Sequence, residues 1–502
     1  MLRAPIVSRT IRDQFNVLRI PIRNTKERIL IMSAKAIIVA GGGPYEGNNL
    51  WDAVERLAEQ AYRALYYRGF AKSDIRLLTF GAPEDFDRNG VCDEKYSDPS
   101  NAKIQQCITT WAVGATDVVV YLCTHGGNDS LLINGMVSPP EYMSAASLDS
   151  WLDALQSKIT GKLIVMIDSC YSGSFIDSLV APSGAPNRIV VCGTGDSQCG
   201  YFVNHGSISF SSYFWPRILK GESIWTAFSK ARDTMACCTA YQTPVLNDNG
   251  NAVGNEPGDG TISSSTHITT GTIQQLPASD QKVIIVAGAS NPGGSDPTAS
   301  AIKHVAGLAY HVLRSRGYAG TNIKVLGPSG IPGYDLPATL SNLMSAIQSW
   351  IPGSSNALIY LVGYGAAGSF KINAAENLAP AVLAGYLNTL QSGYTGKVAV
   401  VMDSPFSGSF LPVLAPPVGK QRIVITSVDA ANTASFAVDG DISFSQHFWT
   451  EILDADNLRE AFLTAKTSAR YFNPSRIAAL DDDGNGIGNE RTDGELARIF
   501  FV

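Results

Sequence analysis

No run of eighteen or more apolar residues occurs in this chain, so no membrane-spanning helix is expected. No long basic tract occurs either, so nucleic acid is not expected as a partner. Cysteine is missing from the whole second half. The eight cysteines, Cys92, Cys107, Cys123, Cys170, Cys192, Cys199, Cys237 and Cys238, all lie in the first. A secreted chain held by disulfides would not leave half of itself without any, and no C-x-x-C pair is present for zinc. The set reads as reduced, mostly buried thiols, with one exception developed below. The amino-terminal stretch has no clean apolar core followed by a small-residue cleavage site, so it makes a poor secretory signal.

The chain has 502 residues, 45% of them hydrophobic, which suits two or three domains with full cores. Net charge is −6 and uneven. Residues 1–33 carry +5, leaving −11 on the rest, and read as a basic leader, a pro-segment or an overlong start before Met32-Ser33. Whether residues 1–31 belong to the mature protein is left open by the sequence.

The chain is written twice. "KAIIVAGGG" at 35–43 returns as "KVIIVAGAS" at 282–290, and "YLCTHGGNDSLLIN" at 121–134 as "YLVGYGAAGSFKIN" at 360–373. "GKLIVMIDSCYSGSF" at 161–175 returns as "GKVAVVMDSPFSGSF" at 396–410, and "SISFSSYFW" at 207–215 as "DISFSQHFW" at 441–449. Order is kept and the offsets drift only from 247 to 234, so a domain of about 230 residues is duplicated, too large for a solenoid unit. Domains are expected at 34–256 and 282–502, joined by a Gly-, Ser-, Thr- and Pro-rich linker at 257–281.

Within a copy, continuous β-branched runs (36–40, 117–122, 163–167, 188–192) alternate with helical stretches (51–68, 147–158, 222–236). That pattern predicts an α/β/α sandwich with a mostly parallel sheet, once per copy. Chemistry in such sheets gathers beyond the carboxyl ends of the strands. One run ends in Thr124-His125-Gly126-Gly127, and the run after the next helix ends in Asp168-Ser169-Cys170-Tyr171-Ser172-Gly173. A single right-handed crossover would make the two strands neighbours, with His125 and Cys170 projecting into one crevice. A free thiol is only a few per cent ionised at neutrality, and a nearby imidazole can take or hold its proton, then protonate a leaving amine. The N–H groups of Gly126 and Cys170 would form an oxyanion hole. Ser172-Gly173 would open a short turn whose N–H groups favour a thiolate.

These blocks, "VVVYLCTHGG" and "IVMIDSCYSGSF", resemble those of the caspase–legumain clan of cysteine peptidases, and the opening "IIVAGG" with Asn48-Asn49 is similar to legumain. The resemblance covers most of residues 34–250. It implies a caspase-like fold, Cys170 as nucleophile, His125 as general acid/base, and Asn48 or Asn49 as the residue orienting the histidine. It implies a polar specificity pocket, for which Asp196, Ser209 and Ser211 are candidates. The caspase Q-A-C motif is absent. In the second copy Tyr364 stands opposite His125 and Pro405 opposite Cys170, so that copy is expected to be inactive.

Acidic loops add a second theme. Asp85-x-Asp87-x-Asn89-Gly90-Val91-x-Asp93-Glu94 and Asp481-x-Asp483-x-Asn485-Gly486-Ile487-x-Asn489-Glu490 repeat oxygen donors at alternate positions around a glycine, as calcium loops do. The backbone carbonyls of Val91 and Ile487 would complete them. The counterpart at 247–256 has lost most carboxylates. The expected function is a cysteine endopeptidase acting on proteins or peptides. It needs no cofactor at the dyad, calcium is a candidate elsewhere, and the two domains should touch. Two alternatives stay open: a transamidase or peptide ligase using the same dyad, and a non-catalytic, calcium-dependent binding or scaffold protein. Reduced thiols favour the cytoplasm and calcium the exterior.

Overall fold

The computed structural model describes residues 33–502 except 88, 186–187, 272, 275, 277–278, 289–295 and 455–456. The basic segment, apart from Ser33, lies outside the described residues.

Two seven-stranded sheets organise the chain. The first runs in the order Val245–Asn247, Ile189–Cys192, Leu163–Asp168, Val118–Cys123, Lys35–Ala40, Ile75–Leu78, Lys95–Ser97. All its pairings are parallel except that of the edge strand Val245–Asn247. The second runs Ala479–Asp481, Arg422–Thr426, Val398–Asp403, Ala357–Val362, Lys282–Ala287, Ile323–Leu326, Tyr334–Leu336, again with one antiparallel edge, Ala479–Asp481. Val118–Cys123 and Leu163–Asp168 are buried at every position, as strands covered by helices on both faces must be. These are two α/β units, each a mostly parallel sheet with helices on its faces.

Helix starts follow local hydroxyls. The helix expected at 147–158 spans Ala145–Gln156, because Ser144 accepts the Ser147 N–H and caps it earlier. The helix expected at 222–236 spans Ile224–Cys238, capped by Ser223 on the Thr226 N–H. Trp51–Tyr67 buries Val54, Leu57, Ala58, Ala61 and Leu65 at helical spacing.

The outer face of each sheet has its own apolar core. The inner faces share one, running from Tyr62, Tyr121 and Trp215 to Tyr360, Phe448 and Trp449. Residues 257–268 return to the first sheet. Asp248, wholly buried, accepts the N–H groups of Gly260, Ile262 and Ser263, and Thr266 accepts the Ile224 N–H.

Candidate active site

The strands Val118–Cys123 and Leu163–Asp168 are direct neighbours, with Cys123 paired to Asp168. His125 and Cys170 each stand two residues beyond that pair. They therefore leave the sheet at one height, from strands about 4.8 Å apart. Gly126 brings the chains closer still: a Cβ there would overlap the Cys170 carbonyl oxygen. The corresponding Gly365 would overlap the Pro405 carbonyl in the same way.

The Asn48 Oδ1 lies 2.8 Å from His125 Nε2. Asn48 Nδ2 is already committed, donating to the Gly43 carbonyl at 2.7 Å, so Oδ1 accepts and Nε2 carries the proton. The other ring nitrogen, Nδ1, is left with its lone pair. Asn48 Oδ1 also accepts the Leu50 N–H at 3.1 Å, which ties it to the start of the first helix. Asn49 is not brought to the histidine in this way; its own N–H donates to the Gly47 carbonyl.

Burial lowers the His125 pKa, so the imidazole is neutral near pH 7. Burial raises that of Cys170, the Gly200 N–H opposes it, and Cys199 adds to it. The Gly200 N–H donates to Cys170 Sγ at 3.3 Å. Both shifts favour the uncharged forms, a thiol at Cys170 and a neutral imidazole at His125. The turn expected to favour a thiolate does something else. Its Ser172 N–H donates to Thr194 Oγ1 at 2.9 Å, fixing the turn to the next strand, and the sulfur takes its hydrogen bond from Gly200. Gly200 was not singled out from the sequence, since a glycine thirty residues downstream gives no local sign of meeting the thiol.

Tyr171, directly after Cys170, is left-handed at φ 59°, a costly conformation for a residue with a Cβ. Phe406 in the second half has φ 58°. The two N–H groups have matching partners: that of Tyr171 donates to the Gln198 carbonyl and that of Phe406 to the Asn432 carbonyl. The strain belongs to the shared turn and not to the thiol.

Two pocket candidates are corrected. Ser211 is fully buried; its N–H and Oγ both donate to Asp168, at 3.0 and 2.5 Å, and its Oγ accepts from the Tyr121 hydroxyl. Ser209 is fully buried as the cap of the helix Phe210–Lys220, in a reciprocal pair with Ser212. Neither can line an open pocket. Asp403, Ser445 and Tyr360 repeat the Asp168 arrangement in the second half. Burial pushes the Asp168 pKa up to about 6 against the opposing Ser211 bonds. Asp196 is exposed and lines a cleft of about 440 Å³ with Gly173, Ser174, Thr243 and Val245, beside the Cys170 turn.

The acidic loops are also partly redrawn. Oxygens of Asp85, Asp87 and Glu94 lie within 4.8 Å of one another, as do those of Asp481, Asp483 and Asp493. Asn89 spends its amide within its turn, accepting the Val91 N–H and donating to Asp87. Asp93 pairs with Lys72, whose ammonium is also 3.0 Å from Glu94. In the second loop Asn485 accepts the Ile487 N–H and donates to Glu490. Asn489 turns away, donating to the Ala478 carbonyl and accepting from Lys466. Its place in the cluster goes to Asp493, beyond the stretch the alternating pattern marks.

Residues 68–208 match the sequence model of the Peptidase C13 family. That stretch of the chain is therefore similar to a cysteine peptidase family. The matched segment contains His125, Cys170 and Gly200, and stops short of Asn48 and of the second half. Among solved structures, caspase-1 from Spodoptera frugiperda is similar at 14% identity and a TM-score of 0.30, over 43% of this chain and 86% of that one. No curated protein matches the chain.

Proposed function

We propose that this chain is a cysteine endopeptidase whose nucleophile is Cys170 and whose general acid/base is His125. The observation that carries the reading is the Asn48–His125 hydrogen bond beside the Cys170 strand end. It leaves His125 Nδ1 free to accept the thiol proton and later return it to the leaving amine. The N–H groups of Gly126 and Cys170 would receive the oxyanion, and the cleft at Asp196 would take part of the substrate.

The second half is inactive in this reading. Its register repeats that of the first, with Val362 paired to Asp403, and two residues beyond stand Tyr364 and Pro405. A phenol of pKa about 10 is no base at neutrality, and proline offers no nucleophile. Calcium is proposed at Asp85, Asp87 and Glu94 and at Asp481, Asp483 and Asp493. In the first of these it must displace the Lys72 ammonium.

A positional peptide library, run with and without chelator and with an added amine, tests all of this. Cleavage that vanishes in Cys170→Ala supports the assignment; cleavage that persists in that variant sinks it. Ligation to the amine would move the site from hydrolysis to transamidation. Indifference to chelator, with no shift of thermal unfolding by Ca²⁺, would remove the metal.

A further inference from the structure

The loop that supplies Gly200 has an unusual shape. Asn204, His205 and Gly206 are left-handed in succession, at φ 49°, 50° and 80°, and two of them carry a Cβ. Val203 and Ile208 close this excursion by pairing with each other. Such a loop needs outside partners to stay in place. Ser209 and Ser212 of the first half bind the Gly206 and Ser207 carbonyls, and further partners come from the second half of the chain. Ser468, on the helix Leu458–Phe472, is wholly buried; its hydroxyl lies 2.8 Å from that of Ser207 and accepts from Asn204 Nδ2 at 2.9 Å. Asn204 Nδ2 also reaches the Thr464 carbonyl at 3.3 Å. The His205 carbonyl accepts from Arg56, whose guanidinium is held by Glu451 and Asp454.

From that anchor the chain runs a few residues back to the thiol. Tyr201, Phe202 and Val203 pack on the shared core, and the Tyr201 N–H donates to Gln242 at 2.8 Å. The Phe202 ring covers Gly200, whose N–H meets Cys170 Sγ.

We propose that Ser468 is a positioning residue for the active site: the second half holds the Gly200–Ser207 loop so that the Gly200 N–H is aimed at the Cys170 sulfur. The inference rests on Cys170 being the nucleophile. It gives the inactive half a task that its lost dyad does not. The reverse contact exists too. Val438, Asp439 and Gly440 are left-handed in turn, and Asp441 accepts from Thr234 of the first half at 3.1 Å. That loop serves a turn without a thiol, so only one direction of the exchange touches chemistry.

The test is the pH profile of Cys170 alkylation by iodoacetamide in the full chain, resolved from Cys199 by peptide mass. Asp168 and Cys199 are charged or titratable neighbours of the thiol, with His125 on the adjoining strand end, and all three stay unchanged. Ser468→Ala should move the Cys170 profile to higher pH by half a unit or more, because the opposing N–H is no longer held. Peptide kcat should fall several-fold with KM little changed. Ser468→Thr, which keeps the hydroxyl, should restore both. Ser207→Ala reads the same contact from the other side should Ser468→Ala not fold. Profiles in both alanine variants that superimpose on the native one overturn the proposal. A shifted profile in a protein that cleaves no peptide would leave the positioning intact and remove the peptidase reading.

Discussion

Asn48 joins three things at once: the Gly43 carbonyl, the start of the first helix and the His125 ring. Replacing it by alanine leaves the imidazole free to rotate and to choose the wrong tautomer. Asn48→Ala should therefore lower kcat about tenfold or more, which corresponds to about 1.4 kcal/mol of lost transition-state stabilisation. Steady-state kinetics on one peptide would show it, and an unchanged kcat would remove the orienting role. The neighbour thiol gives a second residue-scale prediction. The Cys170 pKa is raised by burial first, and Cys199 adds to the rise. Cys199→Ala removes that addition, so alkylation of Cys170 should set in at lower pH than in the native chain. A profile displaced upward or not at all would contradict it. At this scale the sequence was informative about which residues sit at strand ends and silent about what folds over them. Gly200 meets the thiol only through tertiary packing, and no spacing rule reaches across it. The serines failed for a different reason. A serine that caps a helix, like Ser209, and one that feeds a buried carboxylate, like Ser211, look the same in sequence as one that lines a cleft.

Elements were far more legible, because their signals are periodic and local. The fully apolar runs became buried parallel strands, and one helix between two of them made those strands neighbours. Helix ends moved by about two residues where Ser144 and Ser223 set the caps away from the edges of the apolar pattern. The turn after each central strand is the clearest shared element. Tyr171 and Phe406 take the same left-handed conformation, and Asp168 and Asp403 accept the same serine pair of bonds from Ser211 and Ser445. The scaffold of the turn is therefore repeated in the second half, where Tyr364 and Pro405 stand at the positions of His125 and Cys170. Pro405→Cys should fold and place a thiol there. It should produce no peptide cleavage in a chain that also carries Cys170→Ala, because the position of the base holds Tyr364, whose hydroxyl donates to Asp296. Turnover by that double variant would show that a base is available from elsewhere in the second half.

At the scale of the molecule, the two halves meet through charges that are opposite at corresponding positions. Arg217 and Lys220 near the end of one helix correspond, at the offset of 234, to Glu451 and Asp454 near the end of the other. Glu451 and Asp454 hold Arg56, and Asp454 also accepts from Gln60. Arg217, almost wholly buried, pairs with Asp441 at 2.9 Å, and Lys220 lies 2.6 Å from His304. The first half thus offers charges complementary to those of the second, a specificity written in charge. The Arg56 contacts also back the His205 carbonyl, so this charge pattern and the loop beside the thiol share one residue. Arg56→Glu places a third carboxylate against Glu451 and Asp454 in a largely buried site, and should cost about 3–5 kcal/mol of stability. Glu451→Arg alone should also destabilise, since it sets two guanidinium groups face to face. Combined, the two changes restore one ion pair and leave only Asp454 beside the carboxylate introduced on the first helix. The double variant should therefore be clearly more stable than the sum of the single losses, a positive coupling readable as urea midpoints in a double-mutant cycle. Strict additivity of the two losses would mean that Arg56 and Glu451 do not recognise each other, and that the halves are matched by their shared apolar core alone.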